Sequence, residues 1–253
     1  MWWPFWRKSS NALGKEFQAR EAENAHLKTE AETYAKDLES LIRARTDQLQ
    51  TATGNLERSF DVSLEALGYA LDLKQNSPKG HSRRVTLFTI ALAQAMGLPR
   101  EQIALIARGS FLHDIGKMAV PDAILAKPDK LTPEERAVMQ EHPFRGYQMI
   151  RNISSLKAPA EIVYSHHERL DGTGYPRQLK GGNIPFGARI VAIANTLDSI
   201  TSNLPYRPAR SLGVARQEIE MGSGRQFDPE IVNVFLSMPD KIWDDLRRSV
   251  DAP

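Results

Sequence analysis

The stretch Ser82-Arg83-Arg84-Val85-Thr86-Leu87-Phe88-Thr89-Ile90-Ala91-Leu92-Ala93-Gln94-Ala95-Met96, followed by Gly97-Leu98-Pro99-Arg100, sets the fold class. Val85, Phe88, Leu92 and Met96 recur at helical spacing, so residues 82–96 form an amphipathic helix with one inward face. Glycine and proline then supply a turn, and a third helix should run from about 101 to 114. Working outward, Phe60, Leu64, Leu67 and Leu71 give another apolar face, stopped near Asn76-Ser77-Pro78-Lys79-Gly80. Thr132-Pro133-Glu134-Glu135 has a threonine cap, proline at the first helical position and acids in the first turn, a strong helix start. Later helices are expected over 133–152, 158–167, 187–203 and 229–236. Almost nothing alternates with period two. The predicted class is all-α.

Upstream, residues 11 to about 58 lack proline, hold glycine only at Gly14 and Gly54, and are rich in Ala, Glu, Lys, Gln and Arg. That composition suits a long exposed helix. Leu27, Tyr34 and Leu41 are spaced by seven, with Ala31 and Leu38 four residues after the first two, a short coiled-coil seam. Continuing the seam would bring in Arg45 and Gln48, so a register shift is expected before Leu49, Ala52 and Leu56. The sequence therefore divides into an aromatic and basic segment (1–10), a signalling helix or coiled coil (11–58), a globular helical domain (59–245) and a tail (246–253). A homodimer through the N-terminal helix is expected. Trp2, Trp3, Phe5 and Trp6, followed by Arg7 and Lys8, offer contact with a membrane surface.

Composition narrows the chemistry. A formal charge of +2, with basic and acidic residues interspersed, gives no bulk field for nucleic acid. The chain has no cysteine, which excludes disulfides, thiolate zinc sites and a cysteine nucleophile. Any metal must be held by histidine, carboxylate or water. No apolar run approaches the roughly 20 residues needed to cross a bilayer.

Five histidines lie in the globular part: His81, His113, His142, His166 and His167. Two of their contexts stand out, His113-Asp114 and His166-His167. Imidazole and carboxylate are natural ligands for Fe, Mn or Zn. Successive helical residues point about 100° apart, so adjacent ligands near a helix end can approach one cation from two sides or serve two cations. A carboxylate such as Asp114 can bridge two metals roughly 3.5–4 Å apart, the spacing of two-metal phosphoryl chemistry.

His113-Asp114-Ile115-Gly116-Lys117 with Val120-Pro121-Asp122, and His166-His167-Glu168-Arg169-Leu170-Asp171-Gly172-Thr173-Gly174-Tyr175-Pro176, resemble the two signatures of the HD-GYP domain family. His81-Ser82-Arg83-Arg84-Val85, Glu141-His142-Pro143, Gly182-Asn183-Ile184-Pro185, Arg189-Ile190 and Gly222–Pro229 follow in the expected order, so the resemblance runs from near Phe60 to the last predicted helix. It implies a metal-dependent phosphodiesterase of bacterial signalling, in the cytoplasm or peripheral at the inner membrane, that hydrolyses cyclic di-GMP to pGpG or GMP. A signalling-protein partner is also implied. On the same resemblance His81, His113 and Asp114 would hold one divalent transition metal, and Asp114, His142, His166 and His167 a second, with Fe or Mn favoured and Zn admissible. Lys117 would act beside the scissile phosphate, and Gly174, Tyr175 and Arg207 would contact substrate.

Three positions depart from the family pattern. Asn195 stands where relatives carry a metal-binding aspartate; its amide can coordinate but brings no charge. Leu204 replaces an arginine that contacts phosphate, and Ser77 replaces a glutamate that holds a third metal, so two metals are the ceiling. Asp198 matches a different family position and is not expected to replace the lost ligand. Beside the enzyme, two alternatives follow: a catalytically degraded module that regulates by binding nucleotide or protein, and a hydrolase of another phosphoester.

Overall fold

The computed structural model describes residues 3–74, 80–203 and 207–251, with side chains described from residue 13 to residue 250 of those ranges. The aromatic and basic side chains of residues 2–8, Ser77 and Leu204 lie outside the described residues. Eleven α-helices and no strand occur among the described residues: α1 (Trp3–Lys74), α2 (His81–Ala95), α3 (Arg100–Phe111), α4 (Asp122–Leu125), α5 (Pro133–Met139), α6 (His142–Ile150), α7 (Lys157–Ser165), α8 (Phe186–Thr201), α9 (Leu212–Met221), α10 (Pro229–Ser237) and α11 (Asp240–Asp251). The chain divides into two compact units, Met1–Phe60 and Asp61–Pro253.

The first unit is the larger part of α1. Its apolar side chains, among them Leu27, Tyr34, Leu38, Leu41, Leu49 and Leu56, are all exposed. The helix continues through Gly54 and Phe60 without a break, so one helix stands where a signalling helix and a separate amphipathic helix were expected. A glycine costs a helix about 1 kcal/mol, too little to stop it when no proline follows until Pro78.

The second unit is a helical bundle. Leu64 and Leu71 turn the last part of α1 inward. Val85, Phe88 and Leu92 of α2 pack with Ile190, Val191, Ile193, Ala194 and Leu197 of α8, Ile231 and Phe235 of α10 and Trp243 of α11 in one core. α8 is apolar on most of its circumference, as a central helix must be.

Two local differences from the sequence reading matter for the site. The span 133–152 is two helices. α5 begins with the expected cap, Thr132 Oγ1 accepting from the Glu135 amide at 3.2 Å and Glu135 accepting from the Thr132 amide at 2.8 Å. It ends at Met139 because Pro143 has no N–H to return to the Met139 carbonyl. The span 246–251, set apart in the sequence as a tail, forms the last turns of α11, a helix that the sequence reading did not place; α9 was also missed. Ile242, Trp243, Leu246 and Val250 carried the helical periodicity that would have revealed α11.

Candidate metal centre

Asp114 sits where α3 has ended and a short 3-10 helix, Ile115–Ala119, begins. The residue is 2% exposed. α6 can lie directly on this 3-10 turn because residue 116 is glycine: a Cβ there would stand 1.9 Å from the His142 carbonyl oxygen and 2.5 Å from the Gly146 amide. The close approach carries His142 to the carboxylate of Asp114, with Nε2 at 3.3 Å from Oδ1. His166 Nε2 lies 3.7 Å from the same oxygen. Oδ2 faces His113 Nε2 at 3.4 Å, His81 Nε2 at 3.8 Å and Lys117 Nζ at 2.6 Å.

These imidazoles are oriented by the ends of helices. His113 Nδ1 donates to the Ser110 carbonyl, His142 Nδ1 to that of Met139 and His166 Nδ1 to that of Val163, each at 2.7 Å. Carbonyls in the last turn of a helix have no intrahelical partner, so a histidine three residues on can satisfy one. The Met139 carbonyl is the acceptor that Pro143 left free. His81 is fixed differently, by a carboxylate: its Nδ1 donates to Asp198 Oδ2 at 2.7 Å.

A carbonyl or carboxylate only accepts, so each of these Nδ1 atoms carries the ring proton. In a neutral imidazole the Nε2 atom is then a bare lone pair. Burial keeps the rings neutral: it pushes His113 down to about 4, and drives His166 and His167 well below the usual histidine range, with neighbouring histidines adding to the effect at both. Burial alone would raise the Asp114 carboxyl, but the Lys117 ammonium beside it is the largest influence holding it well below its usual range, so it is ionised. The Nε2 atoms of His81, His113, His142 and His166 therefore converge on one carboxylate, with the Nδ1 atom of each already engaged. His142 and His166 meet Nε2 to Nε2 at 3.2 Å. The buried atoms His113 Nε2 and Asp114 Oδ1 have no hydrogen-bond partner. Such an arrangement is repulsive until a cation enters it, and the donor set fits a divalent transition metal.

The donors fall into two groups that share Asp114: one of Asp114, His142, His166 and His167, the other of His81, His113 and Asp114. His167 packs between the rings of His142 and Tyr175, with Tyr175 stacked on it at 4.7 Å between centroids. Gly174 is buried against the backbone of 167–169, where a Cβ would come within 2.4 Å of the Arg169 amide. Steric room, rather than the positive φ found at Gly172, explains the glycine at that position. Arg207, expected at substrate, donates to the Ser199 and Ile200 carbonyls at the end of α8. Asn195 is half-buried one helical turn before Asp198 on α8.

Sequence reasoning passed over two carboxylates. Asp198 accepts from His81 and, at 2.6 Å, from Arg84; these partners overcome its burial and hold its carboxyl low. Glu168 accepts from the Arg177 and Leu179 amides at 2.7 and 3.0 Å, pinning the loop that follows the histidine pair. Only the position of Glu168 inside the second signature pointed to it.

An all-helical unit closed around a buried histidine–aspartate cluster is the architecture of the HD domains. The HD domain family matches residues 65–231, and the chain belongs to it. A cyclic di-GMP phosphodiesterase of Thermotoga maritima is 39% identical over 194 residues, covering 76% of this chain and 52% of that protein. The cyclic di-GMP phosphodiesterase response regulator RpfG of Xanthomonas campestris pv. campestris is 33% identical over 224 residues, covering 88% and 58%. The chain thus spans little more than half the length of these relatives. In fold it is similar to a cyclic GMP-AMP specific phosphodiesterase of V. cholerae, V-cGAP3, with a TM-score of 0.58 at 21% identity over 75% of this chain and 52% of that one.

Proposed function

We propose that the chain is a metal-dependent phosphodiesterase that hydrolyses cyclic di-GMP, opening one phosphodiester to give pGpG or both to give GMP. The observation that carries this reading is the convergence of bare imidazole nitrogens on an ionised, shared aspartate. Asp114 has two oxygens directed at two different donor groups, which suits a bridge between two cations, Fe or Mn by preference and Zn by the same chemistry. When bound, such a pair supplies Lewis-acid polarisation of the phosphodiester and activation of water. The residues of the chain do the rest. The histidines fix the donor directions before substrate arrives, Lys117 adds a cation beside Asp114 that can face a phosphoryl oxygen, and Tyr175 closes the side of His167.

Incubating the intact chain with Mn(II) or Fe(II) and separately with cyclic di-GMP and 3′3′-cGAMP tests the reading. Linear product from cyclic di-GMP in preference to cGAMP is expected. Metal uptake with tight nucleotide binding and no turnover would replace the enzyme by a regulatory binding module, the reading favoured by the uncharged Asn195.

We also propose a parallel homodimer along α1. Val62 and Tyr69 stand a whole number of heptads after Leu27 and Tyr34, and Ala66 and Leu73 likewise after Ala31 and Leu38. This second set is exposed on α1, on the side away from buried Leu64 and Leu71. The original seam thus resumes without a register shift after a polar stretch that places Arg45, Gln48 and Asn55 in the seam. A monomer by light scattering would remove this proposal.

A further inference from the structure

The half of the centre built on His81 depends on a helix beyond the matched family span. α11 follows residue 231 and is anchored by Trp243, 2% exposed, packed against Phe88 of α2 and Phe235 of α10. From this anchor two side chains reach back toward the site. Val250 covers Gly80, the residue before His81, so closely that a Cβ on Gly80 would come within 2.5 Å of its Cγ1. Gly80 caps α2 with a φ of 78°, a conformation that favours glycine. Arg247 donates to the Thr201 carbonyl at 2.8 Å and to Ser202 Oγ at 3.3 Å, bonds Thr201 Oγ1, and lies 3.6 Å from Asp198 Oδ1.

Asp198 is thereby the meeting point of three elements. It accepts from His81 and Arg84 of α2, from Ser202 at 3.2 Å, and faces Arg247 of α11. A buried carboxylate needs its compensating cations in place, and Asp198 is 1% exposed at the side chain. Its second task is to hold the proton on His81 Nδ1, which leaves Nε2 bare toward Asp114. The other anchored histidines need no such help, because each leans on a carbonyl three residues back in its own segment.

We infer that α11 is a positioning element for the His81 side of the metal centre, with Arg247 holding Asp198 and Asp198 setting the tautomer and direction of His81. The inference rests on the metal reading above. With a neutral amide at Asn195, this side has fewer charged donors, so its affinity leans more heavily on how well His81 is held. Partners that orient a metal-bound histidine are worth about 10–100-fold in affinity.

The test is metal content. The intact chain, stripped with chelator and reloaded with Mn(II), is expected to hold two metals per chain and to give the EPR signature of a spin-coupled pair. Arg247→Ala and Asp198→Ala should each lose the pair signature and retain one isolated Mn(II), held by Asp114, His142, His166 and His167. Arg247→Lys should recover part of the second equivalent, and the melting temperature of metal-free Arg247→Ala should stay close to that of the parent. If Arg247→Ala keeps both metals with unchanged affinity, α11 has no positioning role. Loss of both metals together with a lowered metal-free melting temperature would also overturn it, by showing a general structural defect. A parent chain that takes up one metal overturns the role of α11 while sparing the other half of the centre. A parent that takes up none overturns the metal reading itself.

Discussion

The two sides of the histidine cluster differ in how one donor, His81, is held, since His113 on the same side leans on a carbonyl like the rest. On the side of His142 and His166, each anchored ring is aligned by a carbonyl three residues earlier, a local contact inherited from the end or break of a helix. On the other side His81 depends on Asp198, far away in the sequence, and Asp198 depends in turn on Arg84, Ser202 and Arg247. A locally anchored donor survives as long as its own turn does. A donor anchored at long range is exposed to changes in three helices at once.

The largest break in this comparison comes from removing what the two sides share. Asp114→Ala should abolish stoichiometric metal uptake on both sides and lower phosphodiesterase turnover by about 10³-fold, the upper range for deleting one preorganised electrostatic group; metal analysis and a single-turnover assay read both effects. Next comes Gly116→Ala, which forces the 3-10 turn away from α6 because the new methyl meets the His142 carbonyl. Overpacking of this kind costs about 1–3 kcal/mol, a drop of roughly 2–12 °C in melting temperature by calorimetry. Metal affinity should suffer first at His142. The smallest effect sharpens the contrast rather than breaking it. Asn195→Asp should raise affinity on the His81 side alone, by about tenfold for each 1.4 kcal/mol of added attraction, seen as tighter binding of the second metal in a competition titration.

Much of this was legible before any coordinates. The spacing of Val85, Phe88 and Leu92, and the cap at Thr132, give helices where the structure has them. The five histidines and Asp114, scattered over the globular part, are brought together. What the sequence hid was long-range or double-edged. Pro143 stood out only as part of the family motif and lay inside the expected helix 133–152, yet it splits that span and frees the carbonyl that aligns His142. Asp198 looked like an unneeded carboxylate because its partners, His81 and Arg247, are distant in sequence and carry no local signal. α1 was divided at a composition change that the backbone ignores, since neither Gly54 nor Phe60 interrupts its hydrogen bonds.

The carbonyl-anchored rings carry one more consequence. Metal binding to histidine ordinarily competes with protons, because the ligand nitrogen must be stripped before it can bond. Here the proton is parked on the far nitrogen by the fold itself, and burial keeps a second proton off down to about pH 4 at His113. Loading at His113 near neutral pH is then an exchange of hydration water for a nitrogen donor, without release of a proton from that ring.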